Sequence, residues 1–347
     1  TAAISHMTHK TPRTSVEMRG IVKKFPGVLA NDQVDLMINS GEVHALLGEN
    51  GSGKTTLMSV LCGLYSPDEG EIYIARKGTS QPMKANITSP RDAIRLGIGM
   101  VHQHFRLVPN QTVAENIILG LADTPFVLDM KAVEQKLGAL SDKYGLPVEP
   151  GSFIWQLSVG EQQRVEILKL LYRSADLLIL DEPTAVLTPQ EASDLGHTLT
   201  RMSGEGKAVI FISHKLDEVM DFTDQVTVLR DGKNVATIPT ERTSKPDLAE
   251  LMVGREVFFR LDKEKPNIGE VVLRANEIWA LNDKGLLALE NISFQIRSGE
   301  ILGVAGVSGN GQQELAEVLT GLRRSTGGQV FIRDLDLTNH TPLQFIN

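Results

Sequence analysis

Four positions far apart in this chain carry side chains suited to handling a phosphate and a water molecule: Lys54, Asp181, Glu182 and His214. Lys54 sits in the run Gly48-Glu49-Asn50-Gly51-Ser52-Gly53-Lys54-Thr55-Thr56, which fits the phosphate-loop pattern G-x-x-x-x-G-K-[ST]. In such a loop, glycines let backbone N–H groups curl around phosphate oxygens, and the helix that follows presents its partly positive N-terminus. Lys54 would reach the β- and γ-phosphates, and the Thr55 hydroxyl would hold Mg²⁺. Asp181 and Glu182 close the apolar run Ala175 to Leu180. Asp181 would hold Mg²⁺ through its water shell, and Glu182 would polarise the attacking water. Asp-Glu pairs are common on surfaces, but at the C-terminal end of a buried strand they stand where ligands bind in open α/β sheets. His214 follows the run Ala208 to Ile212 and could contact the γ-phosphate. Gln103 follows Gly97 to His102 and could sense Mg²⁺ and the attacking water. A lone histidine is usually structural; it gains weight here from its companions.

The elements around these residues suit that chemistry. Glu42 to Leu47 reads as a buried strand before the loop, and Lys54 to Leu64 as a helix with Leu57, Leu61 and Leu64 on one side. Val16 to Phe25 and Gln33 to Ile38 read as earlier strands. Ser66-Pro67-Asp68-Glu69-Gly70 is a turn signal ahead of the strand Glu71 to Ala75. Thr112 to Tyr144 is helical in pattern, and Glu161 to Arg173 reads as a further helix. Ala175 to Leu180 fits a central parallel strand. Helix Gln190 to Met202, strand Ala208 to Ile212, helix Lys215 to Met220 and strand Gln225 to Arg230 follow, with Asp231-Gly232 as a hairpin turn. The alternation predicts an α/β fold, a parallel sheet covered by helices around the phosphate loop of a P-loop NTPase core, with a helical insert at about 104–173; an antiparallel β subdomain beside it is what the family resemblance given below implies.

The 347 residues are enough for about two domains. Charged residues make up 22% and hydrophobic ones 41%, ordinary for a globular protein, while 5% aromatics suits a core of Val, Ile and Leu. A net charge of −8 offers no bulk attraction to nucleic acid or to an anionic membrane face. The single cysteine, Cys62, excludes an intrachain disulfide and reads as a small core residue. No apolar run approaches the roughly 18 residues of a membrane-spanning helix. The stretch Ser5-His6-Met7 reads as a tag scar, so residues 1–7 are set apart and the first domain is taken as 8–261.

Residues 262–269 are charged and turn-rich, as in a linker, and beyond them the chain repeats itself. At one constant offset without gaps, Ser40-Gly41-Glu42 falls on Ser298-Gly299-Glu300, and Gly48, Gly51 and Gly53 fall on Gly306, Gly309 and Gly311. Residues 270–347 therefore read as the opening part of a second, degenerate nucleotide-binding domain. Lys54 corresponds to Gln312 and Thr55 to Gln313. A neutral amide supplies no cation for a γ-phosphate, which makes the second loop non-hydrolytic.

The ordered set resembles the nucleotide-binding subunit of an ABC transporter. Gln103 matches the Q-loop, Leu157-Ser158-Val159-Gly160-Glu161 the signature, Leu177 to Glu182 the Walker B strand and His214 the switch histidine. Phe25 matches the aromatic that stacks on adenine. The resemblance implies ATP and Mg²⁺ as cofactors. Phe25 and Gly48, Asn50, Gly51, Ser52, Gly53, Lys54, Thr55 and Thr56 would hold the nucleotide; Thr55, Gln103 and Asp181 would gather Mg²⁺. Ser158 and the N–H of Gly160 would meet ATP held by an opposing domain. Two departures stand out. Val159 and Glu161 replace the commoner Gly and Gln, so Glu161 suits the helix dipole but repels phosphate. Thr188 stands where the family usually has Asp.

A tandem with a degenerate second loop resembles importers of simple sugars and nucleosides. The wording of His102 to Pro109, and of Leu157 to Glu191, is similar to the nucleoside branch, with a ribose- or galactose-like sugar as the alternative. This implies integral membrane permease subunits, an extracytoplasmic solute-binding protein, a second nucleotide-binding domain in cis, and a place on the cytoplasmic face of the membrane. Two competing readings are a non-transport ABC ATPase acting on ribosomes or DNA, and a regulatory module that does not hydrolyse. The first is disfavoured by the defective second loop and acidic balance, the second by Glu182 and His214.

Overall fold

The computed structural model describes residues 14–75, 82–103, 105–121, 129–255, 267–283, 285–306, 309–333 and 335–346. Residues 1–7 of the expected tag scar, His104 and residues 262–266 of the expected linker lie outside the described residues. The chain divides into two compact units, Thr1–Phe259 and Arg260–Asn347.

The first unit begins with a hairpin, β1 (Thr14–Phe25) and β2 (Val28–Asn39), followed by β3 (Val43–Leu47) and α1 (Lys54–Leu61). Next come β4 (Glu69–Ile74), β5 (Met83–Ala85), α2 (Pro90–Arg95) and β6 (Ile98–Val101). The helical insert holds α3 (Val113–Ile118), α4 (Met130–Tyr144) and α5 (Val159–Tyr172). The unit ends with β7 (Leu177–Asp181), α6 (Pro189–Gly204), β8 (Ala208–Ile212), α7 (Leu216–Phe222), β9 (Gln225–Arg230), β10 (Lys233–Pro239) and α8 (Lys245–Val253).

Two sheets organise these elements: a four-stranded one in the order β2-β1-β4-β5 and a six-stranded one in the order β10-β9-β3-β8-β7-β6. The first is antiparallel. The second is parallel except for its edge strand β10. Its central strands are continuous apolar runs because both faces are covered. Successive side chains alternate between the faces. Thus Leu177, Ile179, Ala208, Ile210 and Ile212 join one core with Leu57, Met58 and Leu61 of α1 and Val16, Met18 and Ile21 of the antiparallel sheet. Leu178, Leu180, Val209 and Phe211 join another under α5 and α6, which continues into the insert through Ile117, Leu137 and Tyr144.

Several elements depart from the sequence expectation. The helix after the loop stops at Leu61, because the chain turns at Gly63 (φ 72°), which leaves Leu64 exposed. β2 starts five residues earlier than its alternation suggests: Val28 and Leu29 are exposed at the hairpin tip, and Gln33 (φ 49°) interrupts the period. Among the described residues of the stretch from Thr112 to Tyr144 there are two helices, the first capped by a reciprocal Thr112–Glu115 pair. β10 and α8 were not foreseen. Cys62 is buried as expected, with its thiol on Met100 Sδ at 3.7 Å.

The second unit contains β11 (Val271–Leu281), β12 (Leu287–Arg297), α9 (Gln312–Leu319), β13 (Gly327–Ile332), β14 (Leu335–Asp336) and α10 (Pro342–Ile346). Its sheet order, β12-β11-β13-β14, repeats that of the antiparallel sheet of the first unit. The counterpart of β3, residues 301–306, forms no strand, and Ile301 is 89% exposed.

Phe211 is fully buried and meets Phe222 edge-on at 6.1 Å. Phe211→Ala should lower the unfolding free energy by about 3–5 kcal/mol, the usual cost of emptying a core aromatic site. Urea denaturation followed by circular dichroism measures it.

Candidate functional site

The loop between β3 and α1 is shaped by glycines, two of which leave no room for a side chain. Gly48, Gly51 and Gly53 all have positive φ (156°, 85° and 98°). A Cβ on Gly48 would overlap the Leu229 carbonyl, and one on Gly53 would overlap the Ala30 carbonyl. The hairpin turn at Asp231-Gly232 braces the same loop, since Gly232 N–H donates to the Ser52 carbonyl at 3.2 Å. Buried Asn31 adds a bond from Nδ2 to the Gly53 carbonyl at 3.2 Å. α1 then starts without a side-chain cap, leaving the N–H groups of its first turn without intrahelical partners.

Lys54 is buried at the centre of the loop, its Nζ donating to the carbonyls of Gly48 at 2.7 Å and Glu49 at 2.9 Å. Burial pushes its pKa below the usual lysine range, and the charges of Glu182 and Asp181 hold it back up. Asp181 ends β7, buried. Burial and the neighbouring Glu182 raise its carboxyl above the usual range, against the pull of Lys54. Glu182 follows at φ 48°, its N–H bonded to the Ile212 carbonyl of β8 at 3.0 Å. That turn presents its carboxylate to two partners: Oε2 accepts from Gln103 Nε2 at 3.2 Å, and Oε1 lies 3.0 Å from His214 Nδ1.

An open cleft of about 620 Å³ joins Phe25, Asn50, Gly51, Gly53, Lys54, Thr55, Thr56, Gln103, Asp181, Glu182 and His214. Phe25, at the end of β1, is half-buried and braced edge-on by Tyr65 at 5.3 Å. Val28 and Ala30 also line the cleft; neither carries chemistry that a sequence reading could flag. Ser52 turns inward instead, with its hydroxyl buried and unpaired beside Gly48.

Ser158 and Gly160 stand apart from this cleft, at the N-terminus of α5. Ser158 N–H and Oγ–H both donate to Glu161 Oε2 at 2.8 Å, and Glu161 N–H returns a bond to Ser158 Oγ. These bonds hold the Glu161 carboxyl below the usual range. The departure at Glu161 is thus a capping residue. Thr188 likewise caps α6, paired with Glu191. Behind Glu182 and His214 lies a buried network the sequence did not reveal. Glu218 accepts from the hydroxyls of Thr184 and Ser213, and Lys215 Nζ bonds the Thr184 carbonyl at 2.9 Å and pairs with Glu218 at 3.0 Å.

The donor set suits a nucleotide triphosphate with Mg²⁺. A glycine loop, uncapped helix turn and buried ammonium face two carboxylates. Among the described residues no group of three or more His, Cys, Asp or Glu could cage a metal alone. Mg²⁺ commonly takes one or two carboxylates and completes its shell with substrate phosphates and water.

The ABC transporter family matches residues 31–185 and 289–345. The chain belongs to that family. It is 50% identical to a glucose import ATP-binding protein of Haloferax volcanii, over 96% of this chain and 64% of the relative. It is 48% identical to a nucleoside import ATP-binding protein of Lactococcus lactis (95% and 64%) and to a guanosine import ATP-binding protein of Bacillus subtilis (94% and 63%). The chain therefore spans just under two thirds of these relatives. Among solved structures, it is similar to an ATP-binding cassette of an ABC transporter in its ADP conformation (25% identity, TM-score 0.60, 70% of this chain and 99% of that one). A dimeric bacterial ABC transporter cassette also matches (26%, 0.57, 65% and 98%).

Two outcomes test this geometry. Gly51→Ala, whose Cβ meets nothing, should cost only the left-handed backbone penalty of about 1–2 kcal/mol. Gly53→Ala adds a collision with Ala30 and should lose more stability and most ATP affinity, as read by urea melts and calorimetry. In nucleotide-free protein, Asp181→Asn should melt higher than the parent at pH 7. A carboxyl whose pKa folding raises contributes stability at low pH and loses it as pH rises through the folded value. The advantage of Asn should therefore vanish below the ordinary carboxylate range, which melting curves across pH measure.

Proposed function

We propose that this chain is the ATP-binding and ATP-hydrolysing part of an importer of a small solute, working through separate permease subunits on the cytoplasmic face of the membrane. The observation that carries the reading is the single cleft in which Lys54, Asp181, Glu182, Gln103 and His214 converge. Phe25 stacks the adenine, and residues 48–56 cradle the phosphates. Lys54, drawn from its loop carbonyls, meets the β- and γ-phosphates. Thr55, Asp181 and Gln103 would hold Mg²⁺, whose charge offsets that developing on the phosphoryl group. Glu182, set between Gln103 and His214, orients the attacking water, and His214 steadies the γ-phosphate.

A route from this site to a permease is supported by two bonds. Arg106 N–H donates to Glu166 of α5 at 2.7 Å, and Lys169 Nζ to the Arg106 carbonyl at 3.3 Å. Movement of Gln103 therefore reaches the helix that Ser158 begins. A groove of about 250 Å³, lined by Leu64, Ile94, Met100 and Leu170 together with Arg106, Glu166 and Lys169, lies beside this joint and would meet a permease segment. An extracytoplasmic solute-binding protein would deliver the solute.

Residues 270–347 are taken as the start of a second nucleotide-binding domain in cis. The relatives' greater length supports this, as does the exposed apolar run 301–306, which strands equivalent to β8 and β9 would cover. Its loop keeps the backbone bends, with Gly309 at φ 89° and Gly311 at φ 93°. The Gln312 amide packs on Gly306, and Gln313 Nε2 turns to Glu317 at 2.8 Å. Neither supplies a cation or a hydroxyl to the loop, so one composite site turns over and the other does not. A nucleoside is the favoured cargo, supported by the wording of His102 to Pro109 and of Leu157 to Glu191 and by two of the relatives; a simple sugar is the alternative, supported by the glucose import relative.

ATPase assays on the complete protein test the asymmetry. Glu182→Gln should lower turnover at least about 100-fold, within the range expected for losing a water-orienting group, while Gln312→Ala leaves it nearly unchanged. The reverse pattern would sink the proposal. Ligand screening of the cognate solute-binding protein separates nucleoside from sugar.

A further inference from the structure

Behind the phosphate cleft, the loops after β7 and β8 meet at one buried carboxylate that does not line it. Glu218, in the first turn of α7, is only 9% exposed, and its Oε2 accepts from the Thr184 hydroxyl and from Ser213 Oγ at 3.1 Å. Thr184 stands two residues after Glu182, and Ser213 immediately before His214. The other oxygen, Oε1, pairs with Lys215 Nζ at 3.0 Å, and that ammonium donates in turn to the Thr184 carbonyl at 2.9 Å. The Lys215 N–H donates to Ser213 Oγ at 3.1 Å, which closes the ring of bonds.

The ring holds a strained bend. Glu182 lies at φ 48°, in the left-handed region, where a residue with a side chain persists only if its surroundings keep it there. On one side the bend is tied by the Glu182 N–H on the Ile212 carbonyl at 3.0 Å. On the other the chain is fastened at Thr184, through both its hydroxyl and its carbonyl. Between these ties the Glu182 carboxylate reaches His214 Nδ1 at 3.0 Å. A misplacement of about 1 Å in a reacting group can cost on the order of 100-fold in rate.

We propose that Glu218, acting through Thr184 and Ser213, is a positioning residue for ATP hydrolysis. It sets the reach between Glu182 and His214, and so governs turnover without contributing to nucleotide affinity. Glu218, Thr184 and Ser213 do not line the cleft, and the phosphate loop is braced from elsewhere, by Asn31 and Gly232. The inference deepens the reading of Glu182 and His214 as the hydrolytic pair and rests on it.

ATPase kinetics of the complete protein, with ATP affinity measured by calorimetry, test it. Thr184→Val keeps the shape of the side chain without its hydroxyl. It should lower kcat at least about tenfold and leave KM and Kd for ATP within about twofold of the parent. Thr184→Ser restores the hydroxyl and should recover most of the turnover. Glu218→Gln keeps the size but sets an amide N–H against a donor, and should behave like Thr184→Val. Because the network acts through Glu182, adding Thr184→Val to Glu182→Gln should lower the residual turnover by no more than about twofold. A fully additive loss in that double variant marks a general structural effect and would overturn the proposal. So would parental turnover in Thr184→Val or Glu218→Gln while Glu182→Gln is impaired, or a loss of ATP affinity that matches the loss of kcat. Parental turnover in Glu182→Gln would sink the reading of the hydrolytic pair, and this inference with it.

Discussion

The buried ammonium of Lys54 is the group around which the first unit is arranged. A cation taken out of water loses several kcal/mol of solvation unless its surroundings replace it. Here the replacement comes from two loop carbonyls and from the two carboxylates at the end of β7. The carbonyls can approach only because the loop bends through left-handed glycine conformations, and the carboxylates can approach only because β7 and β3 run parallel with β8 between them. The N–H groups at the start of α1 have no side-chain cap, and with this ammonium they are the physical basis for reading the loop as a nucleotide site. Where Gln312 takes the place of Lys54, the constraint disappears: the backbone bends persist, but a neutral amide closes over Gly306 and needs no carboxylate opposite.

Glu182 and His214 are held less by one another than by what stands behind them. Glu182 sits in a positive-φ turn bonded to β8, and His214 follows that same strand. Buried Glu218, three hydroxyl and ammonium partners around it, locks the two loops together. Glu161 and Thr188, which read as departures from the family pattern, turn out to be reciprocal helix caps. In a partly buried setting such caps satisfy the orphan N–H groups of a helix end, which is reason enough for both residues.

Much of this was legible in the chain itself. The order of the phosphate loop, Gln103, Asp181-Glu182 and His214 named the site, because each residue type follows an apolar run at the strand end where ligands gather. The runs Ala208 to Ile212 and Gln225 to Arg230 were read to their observed bounds. Other elements were less readable for identifiable reasons. Gln33 breaks the alternation of β2, Gly63 ends α1 before its apolar spacing does, and β10 is an edge strand half exposed to solvent. Asn31 and Glu218 gave no signal, since their neighbours come from distant segments.

By itself, then, the sequence determined the fold class, the phosphate-binding chemistry and the internal repeat, because each rests on local spacing that survives in one dimension. Only the tertiary structure decided that Glu182 stands between Gln103 and His214, that Asp231-Gly232 braces the phosphate loop, and that Glu218 gathers the hydroxyls of Thr184 and Ser213. Those facts depend on which strand lies beside which, and on burial, and neither is written into any single stretch of the chain.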